Sequence, residues 1–69
     1  MVEVFKTNIL QRELAGQIAS TILDRFPSFK INFDLDDCDK ILRIEGSNIC
    51  PKAVIELIEI SGFECELLE

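Results

Sequence analysis

The order of apolar patterns along this chain predicts an α+β fold of the ferredoxin-like type, βαββαβ. In that fold a four-stranded antiparallel sheet, in strand order 4-1-3-2, carries both helices on one face. Three observations lead there. Two stretches of helical periodicity each lie between strand-like stretches. The two middle strands are separated only by a short acidic turn. Finally, 69 residues at 48% hydrophobic content allow one core, and hence a single domain over residues 1–69.

Val2 to Thr7, rich in β-branched and aromatic side chains, reads as the first strand; Val4 and Phe5 are adjacent, so two phases are open, of which the one with Phe5 turned inward is favoured. Asn8 followed by Gln11 has the spacing of a capping box, which predicts a helix from about Ile9 to Arg25. Along it Leu10, Leu14, Ile18, Ile22 and Phe26 recur every fourth residue, with Ala15, Ala19 and Leu23 beside them, and Pro27 ends the pattern. Phe29, Ile31, Phe33 and Leu35 then alternate with polar residues as a half-buried strand. Asp36 to Asp39 make the turn, and Leu42 and Ile44 alternate on the returning strand. After the loop Gly46-Ser47-Asn48, Pro51 suits the first position of a second helix, placing Cys50 at its cap. Ala53, Val54, Leu57 and Ile58 form its buried stripe, which Ile60 is expected to extend. Gly62 suits the left-handed position after the helix, Phe63 the contact that follows it, and Glu64 to Leu68 the last strand, with Cys65 and Leu67 on one face.

Thirteen acidic against seven basic side chains give a net charge of −6, which disfavours nucleic acid and anionic membranes as partners. No apolar stretch reads as a signal peptide or a membrane span. Three cysteines, Cys38, Cys50 and Cys65, suggest no disulfide framework and fit free thiols in a reducing cytoplasm.

Three segments together resemble the heavy-metal-associated, copper-chaperone-like family. They are Phe5-Lys6-Thr7-Asn8-Ile9, where strand passes directly toward helix; Asp39 to Gly46, similar to the family's third strand; and Val54 to Leu68, similar to its C-terminal helix and strand. The resemblance covers nearly the whole chain and implies the fold already read from the pattern. The family's chemistry resides in a Met-x-Cys-x-x-Cys loop between first strand and first helix, whose two thiolates bind Cu(I). Here Ile9 takes the methionine-like place, and Gln11 and Leu14 stand where the cysteines belong. An amide oxygen is a hard, neutral donor and a leucine is no ligand, so soft-metal binding of the family type is not carried over and no cofactor is expected.

The resemblance then implies an interaction or accessory module in metal handling. Its partner would be a protein, by analogy a metal-transporting ATPase or a related domain, met by Asn8, Ile9, Leu10, Gln11, Arg12, Glu13 and Phe63 at the former metal end. Self-association through an edge strand, the second or the fourth, is a variant of the same reading. The alternative is weak Cu(I) or Zn binding through Cys38, flanked by Asp36, Asp37 and Asp39, across a dimer. Against that stands a simpler reading of the segment as a polar turn, without the regular oxygen spacing of a Ca²⁺ loop.

Enzymatic readings find little support. The chain has no His to serve as base for a cysteine nucleophile, and its carboxylate pairs, Glu56/Glu59 and Glu64/Glu66, are expected in solvent. Acylphosphatases share the topology but need an anion cradle, of which only Arg12 is near. RNA-recognition domains need exposed sheet aromatics.

Overall fold

The computed structural model describes residues 1–68. Val2–Thr7 forms β1, Arg12–Arg25 α1, Lys30–Asp34 β2, Ile41–Glu45 β3, Pro51–Ile60 α2 and Cys65–Leu68 β4. The strands make one sheet in the order β2-β3-β1-β4, with every neighbouring pair antiparallel. This is the ferredoxin-like arrangement expected from the pattern.

Register decides which residues reach the core. Phe5 faces Leu42 on β3 and Leu67 on β4, and Phe33 faces Leu42 from β2. Because side chains alternate along a strand, Phe5, Thr7, Ile31, Phe33, Leu42, Ile44, Cys65 and Leu67 share the face covered by the helices. Phe5, Leu42 and Ile44 are fully buried there against Ile18 and Ile22 of α1 and Val54 and Ile58 of α2. The opposite face carries Val4, Lys6, Lys30, Asn32, Asp34, Arg43, Glu45 and Glu66, in a mostly polar grid.

Two helix boundaries differ from the pattern reading. Helix α1 begins at Arg12 rather than Ile9, with Gln11 in extended conformation at its cap and no capping side-chain hydrogen bond. Asn8 is not a cap, because its amide is engaged elsewhere. At the other end of the chain, Ile60 does not extend the buried stripe: it is 83% exposed. At 3.6 residues per turn it lies roughly 40° from exposed Glu56 and about 160° from Ile58, on the far side of α2.

The end of α2 follows the glycine rule closely. Gly62 has φ +96°. Its N–H donates to the Glu59 carbonyl at 3.0 Å and the Phe63 N–H to that of Ile58 at 3.2 Å, the paired bonds of a Schellman motif. Phe63 thereby turns back onto the core.

Gly46 is needed for a different reason, close approach. A Cβ there would stand 2.6 Å from Cδ1 of Phe29, whose ring is buried and stacked on Phe26 at 4.8 Å between centroids. Gly46→Ala is therefore expected to cost about 1–3 kcal/mol through displacement of this aromatic pair. Urea denaturation checks it, and an unchanged midpoint contradicts it.

Candidate functional site

The segment between β1 and α1 is anchored by three successive residues, each in a different way. Thr7 is buried, and its hydroxyl donates to the Lys40 carbonyl at 2.6 Å and accepts from the Ile9 N–H at 3.2 Å. Its own N–H donates to the Asp39 carbonyl at 3.1 Å. Asn8 turns toward the opposite side: its amide nitrogen donates to Glu64 Oε2 at 3.2 Å, and its Oδ1 accepts from the Glu64 N–H at 2.8 Å. Ile9 is fully buried in the core.

One short loop thus ties the β2–β3 hairpin on one side to the α2–β4 turn on the other. A buried polar Thr is tolerated because its hydroxyl both donates and accepts a hydrogen bond. Lys6 adds an ion pair to Asp39 at 3.8 Å, half exposed and therefore of little energetic weight.

This placement sorts the residues expected to meet a partner. Asn8, Gln11, Arg12 and Glu13 are exposed, the last two on the first turn of α1. Leu10 is 70% exposed and precedes α1, outside the helical stripe that its spacing predicted it to begin. Ile9 must be removed from the surface, because its side chain is core. Phe63 is half-buried and packed against the core.

Beside Asn8 lies an open depression of about 420 Å³, lined by Lys6, Thr7, Asn8, Glu59, Glu64, Cys65 and Glu66. Three carboxylates against one ammonium make it acidic. Exposed Ile60 closes α2 at the same end of the sheet, one residue after Glu59. Neither Ile60 nor the convergence of these glutamates on Asn8 was evident from the chain pattern. Both follow from topology, which brings the C-terminal ends of β1 and α2 together across more than fifty residues of sequence.

The residues at the start of α1 do not form a Cu(I) donor set. Gln11 and Leu14 supply no thiolate, and Leu14 is packed against the core. In the hairpin, Cys38 is exposed, and its sulfur lies within 4.8 Å of carboxylate oxygens of Asp37 and Asp39. Two local bonds explain the shape of this turn: the Asp39 N–H donates to Asp37 Oδ1 at 2.8 Å, and the Lys40 N–H to the Asp37 carbonyl at 3.0 Å. Cys50 caps α2 at the opposite end, where β3 leads into that helix, and is exposed. The three thiols are free and do not converge.

Cys65 differs from the other two. Burial, reinforced by the nearby Glu59 carboxylate, pushes its thiol from 9.0 up to about 12. A protonated thiol is a poor nucleophile and a poor ligand. At neutral pH, a thiol reagent is expected to label Cys38 and Cys50 in the folded protein and to spare Cys65 until denaturant is added. Mass spectrometry of labelled peptides checks this, and equal labelling of all three contradicts it. Linkage gives the sign for stability. The native state holds this proton more tightly than the unfolded chain, so the contribution is fully present below pH 9 and is lost as pH rises toward 12.

No helix among the described residues is long and apolar enough to cross a membrane. Compared with known proteins, the chain matches no family model, no curated sequence and no solved structure.

Proposed function

We propose that this chain is a non-enzymatic interaction module of the cytoplasm, similar in scaffold to metallochaperones, that serves metal handling through a protein partner rather than through a bound ion. The observation that carries this reading is the composition of one end of the domain. Leu10 and Ile60 are 70% and 83% exposed, and they lie two residues from Asn8 and one from Glu59, both of which line the acidic depression. Exposed apolar side chains beside a field of one sign are what a protein surface with a basic, partly apolar counterpart requires. By the resemblance, that counterpart is a metal-transporting ATPase or a related domain.

The test is a titration of the isotopically labelled protein with the soluble metal-binding domain of such an ATPase, followed by amide chemical shifts. Shifts are expected at Asn8, Leu10 to Glu13 and Ile60 to Glu66, with binding weakened by Leu10→Ala and by Glu64→Gln. Shifts confined to other surfaces, or none, would sink this reading.

A second reading rests on the clustering of Asp37, Cys38 and Asp39 ligand atoms within 4.8 Å. In it, Cys38 holds a soft ion weakly, with a second copy completing the coordination. Cu(I) competition against a chelator, on wild type and Cys38→Ser, decides it. Tight binding lost in the variant supports a metal role, and binding no stronger than that of a simple thiol removes it.

A further inference from the structure

Strand β2, Lys30–Asp34, is an edge of the sheet, paired on one side only. An unpaired edge is a template for another strand, and proteins usually guard it. This edge has a particular order of residues, Lys-Ile-Asn-Phe-Asp, with Lys30, Asn32 and Asp34 all exposed on the outer face.

We propose that β2 pairs antiparallel with β2 of a second copy, about a two-fold axis through Asn32. In that register Lys30 of each copy lies opposite Asp34 of the other, and Ile31 lies opposite Phe33. Both faces match at once: opposite charges meet on the outer face, and aromatic meets β-branched on the helix face. A slip by one residue would set Lys30 against Leu35 and Ile31 against Asp34, and a slip by two would keep the faces but break both Lys30–Asp34 pairs. The strand supplies one positive and one negative charge, which lets two copies of a chain with net charge −6 approach there. The other edge, β4, carries Glu66 and no basic residue, so its self-pairing has no such compensation.

The helix layer leaves space beside this edge. Arg12, Ala15, Gly16 and Ala19 of α1 border an apolar groove of about 260 Å³ floored by Phe33 and Leu35. A Cβ at Gly16 would meet nothing within 4 Å. Pairing of the strands sets Ile31 of the second copy beside Phe33, which closes this groove from its open side. Since β1 runs parallel to β2, the two loop ends of the dimer point in opposite directions and each stays free. The inference rests on the β2 edge, which shares only Arg12, at the end of the groove, with the proposed partner site, and it stands or falls separately from that reading.

The test is sedimentation equilibrium of the full chain together with Asp34→Lys. Asp34 faces Ile41 within its own sheet, so the variant keeps the internal charge pairs while setting Lys against Lys30 of the other copy. Wild type is expected at twice its 7.8 kDa mass, and the variant to dissociate about tenfold more readily or beyond. Asn32→Cys, in a Cys38→Ser/Cys50→Ser background, is expected to cross-link on oxidation much faster than Glu66→Cys in the same background. A monomer at concentrations up to about 1 mM overturns the proposal. So does a dimer whose strength Asp34→Lys leaves unchanged, or equal cross-linking at the two positions.

Discussion

Replacing Ile9 with alanine is expected to destabilise the protein by about 2–5 kcal/mol, while the same change at its neighbour Leu10 stays within about 0.5 kcal/mol of wild type. Ile9 is fully buried although it belongs to no helix or strand, whereas Leu10 is 70% exposed. Truncating Ile9 leaves a cavity beneath the β1–α1 loop, and its N–H bond to Thr7 holds the backbone so that the loop does not simply collapse inward. A domain of this length has on the order of 3–10 kcal/mol to lose. The variant should therefore be partly unfolded under conditions where Leu10→Ala is native. Urea midpoints of the two variants measure it directly. Similar midpoints would mean that the loop is not anchored through Ile9.

The second large effect is a gain. Gln11→Cys combined with Leu14→Cys, in a Cys38→Ser background, is expected to raise Cu(I) affinity by several orders of magnitude over wild type. Gln11 is the cap and Leu14 the third residue of α1, the two positions whose side chains reach toward each other across the first turn in a capping box. The helix N-terminus favours thiolates placed there, and two soft donors at this separation converge on one ion. Truncating Leu14, half-buried against the core, makes the double variant less stable but not unfolded. Competition against a Cu(I) chelator measures the gain. Affinity no better than that of wild type would show that the scaffold resembles the family's while its loop is shaped differently.

Periodicity alone made the sheet and its core legible. Leu42 and Ile44 fall inward because they alternate with Arg43 and Glu45, whereas Phe5, adjacent to Val4, is fixed inward by its register opposite Leu42. Gly62 and Phe63 were legible because a left-handed residue after a helix has few chemical solutions. The loop was not. Asn8 and Gln11 have the spacing of a capping box, yet Asn8 is claimed by Glu64, fifty-six residues away, and a local pattern cannot register so distant a competitor. Ile9 and Ile49 are buried outside any repeating element, so no period marks them. Ile60 misled in the opposite sense, since apolar character continued after the helix face had rotated into solvent.

The candidate surface divides along the same line. Leu10, Arg12, Glu13 and Phe63 could be placed at one end from topology. The acidic depression depends on Glu59, Glu64 and Glu66 closing around Asn8, which only the three-dimensional arrangement brings together.

Hydrogen bonds from Thr7, Asn8 and Ile9 tie this end of the domain together. Amide hydrogen exchange of the metal-free, partner-free protein measures it most directly. The Thr7 N–H, bonded to Asp39, and the Ile9 N–H, bonded to the Thr7 hydroxyl, are expected to exchange as slowly as amides of β1 and β3, and at the same rate after Cu(I) is added. Exchange as fast as in an unstructured peptide, slowing only when the ion is present, would contradict it and return the loop to metal binding.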